Sequence, residues 1–155
     1  MAQNTLQFSE VIDQLTTEEF SWWLAVDNAI AREDRITLDA LVDHRVGDAG
    51  GEILDMYEGL TLSLYEVERK VHLYASEYAD IGVVGTLVCE FTRQFRSGDT
   101  FYLTWATACS KMRPGEFGGG ILLVDDSGWD TLEAQELCQL TRSQLRAIHD
   151  LTRAG

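Results

Sequence analysis

The side chains best equipped for chemistry stand together in one short stretch, Cys109-Ser-Lys-Met-Arg-Pro-Gly-Glu-Phe-Gly-Gly-Gly120. Cys109 offers a nucleophile, Lys111 and Arg113 offer cations for an anion, and Glu116 offers a general acid or base. Three consecutive glycines, Gly118, Gly119 and Gly120, lose the most conformational freedom on folding and need a reason to be there. Either the backbone takes positive φ, or another backbone or a ligand comes very close. A phosphate-binding loop is the wrong reading, because G-x-x-x-x-G-K-[ST] must open a helix and these glycines lead into an apolar strand. A reactive thiol wants a positive neighbour such as histidine, yet His44, His72 and His149 all lie far away along the chain. Cys109 at the end of a strand therefore reads first as a small buried apolar residue. A small enzyme or ligand-binding centre at this tip is the alternative expectation.

Carboxylates form the second constellation. Glu52, Asp55 and Glu58 fall at three-residue steps on one helical face, and Asp39 with Asp43 stands at i, i+4. Such neighbours are about 5–6 Å apart, comparable to phosphates along a nucleic-acid strand, whose rise is about 3.4 Å. The whole chain holds 26 acids against 12 bases, a net charge of −14. Residues 1–68 carry 15 of those acids against Arg32, Arg35 and Arg45 alone. A chain so charged repels phosphate backbones, which excludes direct nucleic-acid binding.

The leading expectation is a non-enzymatic, acidic protein-binding module that engages a basic partner through Asp39, Asp43, Glu52, Asp55 and Glu58. Trp22 is the aromatic contact, because it neighbours Trp23, points about 100° away from it on a helix, and exposed aromatics are enriched at interfaces. In charge and size the chain resembles phage and plasmid proteins that mimic DNA to block restriction or CRISPR nucleases. That resemblance implies an inhibitor of a nucleic-acid-binding protein. The bland alternative is that the charge serves solubility alone. A third reading is a structural subunit of an oligomer, with a C2 homodimer as the default symmetry.

No run of the D-x-D-x-D-G type is present to hold calcium, and Asp125-Asp126 reads as a turn, so neither metal nor cofactor is expected. Cys89, Cys109 and Cys138 form no C-x-x-C pair and no disulfide framework. With no basic-then-apolar signal in Met1 to Glu10 and no apolar run of about 20 residues, the expected setting is the cytoplasm, without membrane contact.

The elements that must position these residues read as an α+β fold: a mostly helical single domain over residues 1–155, with a small antiparallel hairpin. Thr16 and Glu19 make a capping box ahead of Phe20, Trp23, Leu24 and Ile30. Ser63 and Glu66 make a second, opening one or two long helices over about 63–96 through Leu64, Val67, Val71, Tyr74, Tyr78 and Ile81. Gly82 and Gly85 share another face and mark either a bend or a close approach. Alternation from Thr100 predicts a strand over about 100–108, and Ile121 to Val124 a second over about 120–125. Asp130 and Glu133 then open a helical region whose apolar face is Leu137, Leu140, Leu145, Ile148 and Leu151.

Overall fold

A computed structural model of the chain describes residues 4–42, 57, 59–109, 118–133 and 142–154. Six strands form one antiparallel sheet: β1 (Asn4–Ile12), β2 (Thr61–Tyr65), β3 (Lys70–Ala75), β4 (Phe101–Cys109), β5 (Gly118–Val124) and β6 (Trp129–Glu133). The described helices are α1 (Thr17–Ala31), α2 (Arg35–Leu41), α3 (Ile81–Phe95) and α4 (Arg142–Ala154). The strand order is β2-β3-β1-β4-β5-β6. Its first four strands, linked β1-α1-α2-β2-β3-α3-β4, form two interlocked split βαβ units of the ferredoxin-like kind. β5 and β6 extend that sheet on the β4 side.

A mostly helical domain with a small hairpin is therefore not the architecture. The long helix expected over 63–96 is instead a hairpin followed by a helix. β2 and β3 pair from Thr61↔Tyr74 to Tyr65↔Lys70, around a turn at 66–69 in which Arg69 takes a φ of 52°. Leu62 and Leu64 face the core opposite Leu73 and Val71, while Val67, counted in the helical stripe, is 93% exposed on the turn. Ser63 is a strand residue and caps nothing. The helical opening expected at Asp130 and Glu133 is likewise strand β6, paired with β5 from Gly120↔Glu133 to Val124↔Trp129. The N-terminal segment, for which no element was expected, supplies β1, bonded to both β3 and β4.

α1 and α3 both start on side-chain caps, of which the sequence predicts the first. Thr16 Oγ1 accepts from the Glu19 N–H at 3.1 Å, and Glu19 Oε1 accepts from the Thr16 N–H at 2.8 Å, closing the capping box of α1. Asp80 caps α3 by accepting from the Gly82 N–H at 2.7 Å. α1 and α3 cover one face of the sheet, called here the inner face. Phe8 and Ile12 of β1, Val71 and Leu73 of β3, and Leu103, Leu122 and Val124 of β4 and β5 meet Trp23, Val26, Leu87 and Phe91 in a single buried cluster.

The aromatic centre of that cluster is tightly built. Trp22 and Trp23 meet edge to face at 4.9 Å, and Trp23 lies 5.4 Å from Phe91. Alternation places Glu10 on the same face as Phe8 and Ile12, and its burial raises the carboxyl above the usual range, against the opposing hydrogen bond from the Val11 N–H and the nearby His72.

Arg96, at the end of α3, reaches back to the start of α1. Its Nε donates to Glu19 Oε2 at 2.6 Å, and its guanidinium also donates to the Asp13 carbonyl at 3.2 Å. Burial alone would raise the Glu19 carboxyl, but the hydrogen bond from Arg96, the Thr16 N–H and the Arg96 charge together hold it below the ordinary range. Replacing Glu19 by Gln removes the ionic hydrogen bond and should cost about 2 kcal/mol at pH 7, measured by urea denaturation. Because the folded pKa is depressed, this contribution is complete above the unfolded carboxyl pKa of about 4.3 and is lost as pH falls through the lower folded value. The stability gap between wild type and Glu19→Gln should thus close on acidification.

Candidate functional site

The residues picked out from sequence fall in different places. Trp22 is not a surface anchor: it is 6% exposed, its Nε1 donates to the Leu41 carbonyl at 3.3 Å, and its ring lies 6.2 Å from Phe95. The two adjacent tryptophans are both buried because α1 faces the sheet with one side and α2 with the next, so its apolar face is broad. Asp39 sits half-buried on α2, with Oδ1 shielded and unbonded among the described residues. Asp43, Glu52, Asp55 and Glu58 lie outside the described residues, as do Lys111, Arg113 and Glu116. Cys109 ends β4 opposite Asn4.

Gly118, Gly119 and Gly120 are strand residues, paired with Thr107, Ala106 and Trp105. Here the close approach is by the protein's own β4 and β6. A Cβ built on Gly119 would stand 2.2 Å from the Trp105 carbonyl oxygen. One built on Gly120 would stand 2.5 Å from Trp105 Cζ2 and 2.6 Å from the Leu132 carbonyl oxygen. One on Gly118 would meet only Thr107 Oγ1, at 3.4 Å. The glycines thus let the Trp105 indole and two backbones lie against β5.

The opposite, outer face of the sheet carries the candidate site. Register places Tyr102 of β4, Ile121 and Leu123 of β5, and Leu132 of β6 on this face. Ile148 and Leu151 of α4 stand across from them, and together they line a groove of about 480 Å³. That volume is within the range of small-molecule and side-chain receptor sites. α4 covers the face incompletely, since Leu151 remains 60% exposed. Asp125 and Asp130 bring carboxylates to the same groove.

Two contacts fix the end of the groove. Asp125 Oδ1 accepts from the Ser127 hydroxyl at 2.6 Å, the Ser127 N–H at 2.8 Å and the Gly128 N–H at 3.1 Å, which shapes the β5–β6 turn. The side-chain and backbone hydrogen bonds from Ser127 hold its carboxyl below the usual range, so it is ionised at neutral pH. Trp129, which also lines the groove, rests on α3: a Cβ on Gly85 would be 2.7 Å from its Cγ. The pair Gly82 and Gly85 therefore marks a close approach, and no bend is needed to explain it.

The sequence predicts the strand that carries Tyr102 and the stripe through Ile148 and Leu151. It does not predict that they meet, because Leu132 reads as part of a helix. No helix among the described residues is long and apolar enough to cross a membrane. No protein family, curated protein or solved structure matches the chain.

The glycine run yields a graded test. Gly120→Ala should cost about 2 kcal/mol, since overpacking a fitted contact costs about 1–3 kcal/mol, and Gly119→Ala should be at least as damaging. Gly118→Ala should be close to neutral. Urea denaturation of the three variants checks the order.

Proposed function

We propose that the protein is a non-enzymatic binding module whose groove, between α4 and the outer face of β4, β5 and β6, receives an apolar, positively charged segment of a protein partner. The observation that supports this reading is the joint lining of the groove: Tyr102, Ile121, Leu123, Leu132, Ile148 and Leu151 beside the carboxylates of Asp125 and Asp130. Apolar side chains entering it would gain about 25 cal/mol for each Å² withdrawn from water. Lys or Arg on the same segment would meet the two carboxylates, and the net charge of −14 would steer a cationic partner in from a distance. Proteins that handle nucleic acids are the class of basic partner whose surfaces are already built for closely spaced anions, and blocking such a protein is the role this reading favours.

Leu123 is the residue to alter, because it is exposed on the outer face and lies outside the buried cluster. Tagged wild type, presented to a nuclease-treated lysate of its own cell, should retain a basic protein at low salt and release it at high salt. Leu123→Asp should retain none of it while keeping the wild-type circular dichroism and thermal midpoint. Asp130→Lys should weaken retention and flatten its salt dependence. Equal capture by Leu123→Asp would remove the groove as the contact surface.

A further inference from the structure

At the β2 end of the sheet, remote in strand order from the groove, α1 turns Asp27 toward a second pocket of about 250 Å³. Its other walls are Ile30, Ala31, Tyr57, Leu60 and Leu62, with Thr61. Asp27 is half-buried, and burial raises its carboxyl above the usual aspartate range with no opposing cause. Among the described residues it takes part in no hydrogen bond or ion pair. The last turn of α1 carries no basic residue to offset it.

A carboxylate in an apolar wall is costly unless it is paired. The occupant that would relieve it must bring positive charge and tolerate apolar sides. A hard divalent cation fits badly, because calcium takes six to eight oxygen ligands and this lining offers one carboxylate with the oxygens of Thr61 and Tyr57. A guanidinium would fork across both Asp27 oxygens but brings five donors, against three for an ammonium, and the oxygen-bearing side chains of the lining are those of Asp27, Thr61 and Tyr57. An ammonium is a compact charge on a flexible methylene stem, which lies along apolar surface while its head finds the carboxylate. The Tyr57 ring adds a face to which a cation is attracted.

We infer that this pocket is a receptor for the side chain of a lysine carried by a partner protein, with Asp27 receiving the ammonium and Ile30, Leu60 and Leu62 receiving its stem. The site is independent of the groove beneath α4 and stands or falls separately from it.

The test uses the full chain, labelled for NMR, and Nα-acetyl-lysine N-methylamide as the probe. The Asp27 carboxyl carbon and the Ile30 and Leu62 amides should shift saturably, with a dissociation constant of about 1 mM. The norleucine analogue, which lacks only the ammonium group, should bind at least about tenfold more weakly, and so should the lysine probe to Asp27→Asn. Glu18→Gln, which removes an exposed charge elsewhere on α1, should leave binding unchanged. Asp27→Asn should keep or raise the thermal midpoint, since it removes a half-buried charge that has no partner among the described residues.

Equal binding of norleucine would reduce the site to an apolar slot, and tighter binding of the arginine analogue would reassign it to a guanidinium. Binding of n-butylammonium without the lysine probe would make it a site for free amines. Equal weakening by Glu18→Gln would trace the effect to overall charge. A lowered midpoint in Asp27→Asn would show that the protein itself already uses the carboxylate. Each of these five results overturns the inference.

Discussion

Everything in this fold depends on β1 being bonded along both edges. One edge pairs with β3 from Phe8↔Ala75 to Ile12↔Val71, and the other with β4 from Asn4↔Cys109 to Phe8↔Trp105. The β2–β3 hairpin and the β4–β5–β6 meander join as one sheet through this strand. α1 leaves β1 through the Thr16 cap, α3 links β3 to β4, and the ion pair between Glu19 and Arg96 holds the start of the first helix to the end of the second. That pair does more than bind two charges. It fixes how α1 and α3 lie over the inner face, and so where the aromatic cluster of Trp22, Trp23 and Phe91 can pack.

The two faces of the sheet have unlike fates. The inner face is sealed by α1 and α3 and holds the fully buried side chains. The outer face is graded: Ser9, His72 and Tyr74 make its β1–β3 half polar, with the Ser9 hydroxyl 2.7 Å from His72 Nε2 and the His72 and Tyr74 rings 4.6 Å apart. Its β4–β6 half is apolar and only partly shielded by α4. On the proposed reading, apolar surface left open beside carboxylates would favour a cationic partner over a second copy of the same acidic chain. On that reading charge and hydrophobicity act in one place, and neither alone would discriminate between partners.

Much of the local structure could be read from the sequence where the signal was local. The Thr16–Glu19 box announced α1 and alternation from Thr100 announced β4, while α3 was foreseen only as the later part of helix placed too early, from Ser63. β1 was hidden because Glu10 interrupts the inward row of Leu6, Phe8 and Ile12. β2 and β3 were hidden because their turn, Glu66-Val67-Glu68-Arg69, contains no Gly, Pro, Asn or Asp, so nothing punctuated a chance helical spacing of Leu64, Val67, Val71 and Tyr74. Asp130 and Glu133 resemble a helix start but are strand residues held by pairing with β5, a case of tertiary context overriding local preference. The groove was legible only as separate apolar positions. Their meeting depends on α4 coming back over β4, β5 and β6, which no short-range pattern encodes.

The central strand also sets an order of assembly. In synthesis β1 precedes both of its neighbours, and the second of them, β4, ends at Cys109. At about 5–20 residues per second, that interval is roughly 5–20 s. Throughout it, the row of Leu6, Phe8 and Ile12 has no complete sheet to enter, and the edge of β1 that will bond β4 stays open. Of the described strands β1 therefore waits longest for its second neighbour, and the acid set among those apolar residues, Glu10, is well placed to discourage a wrong strand from binding there first.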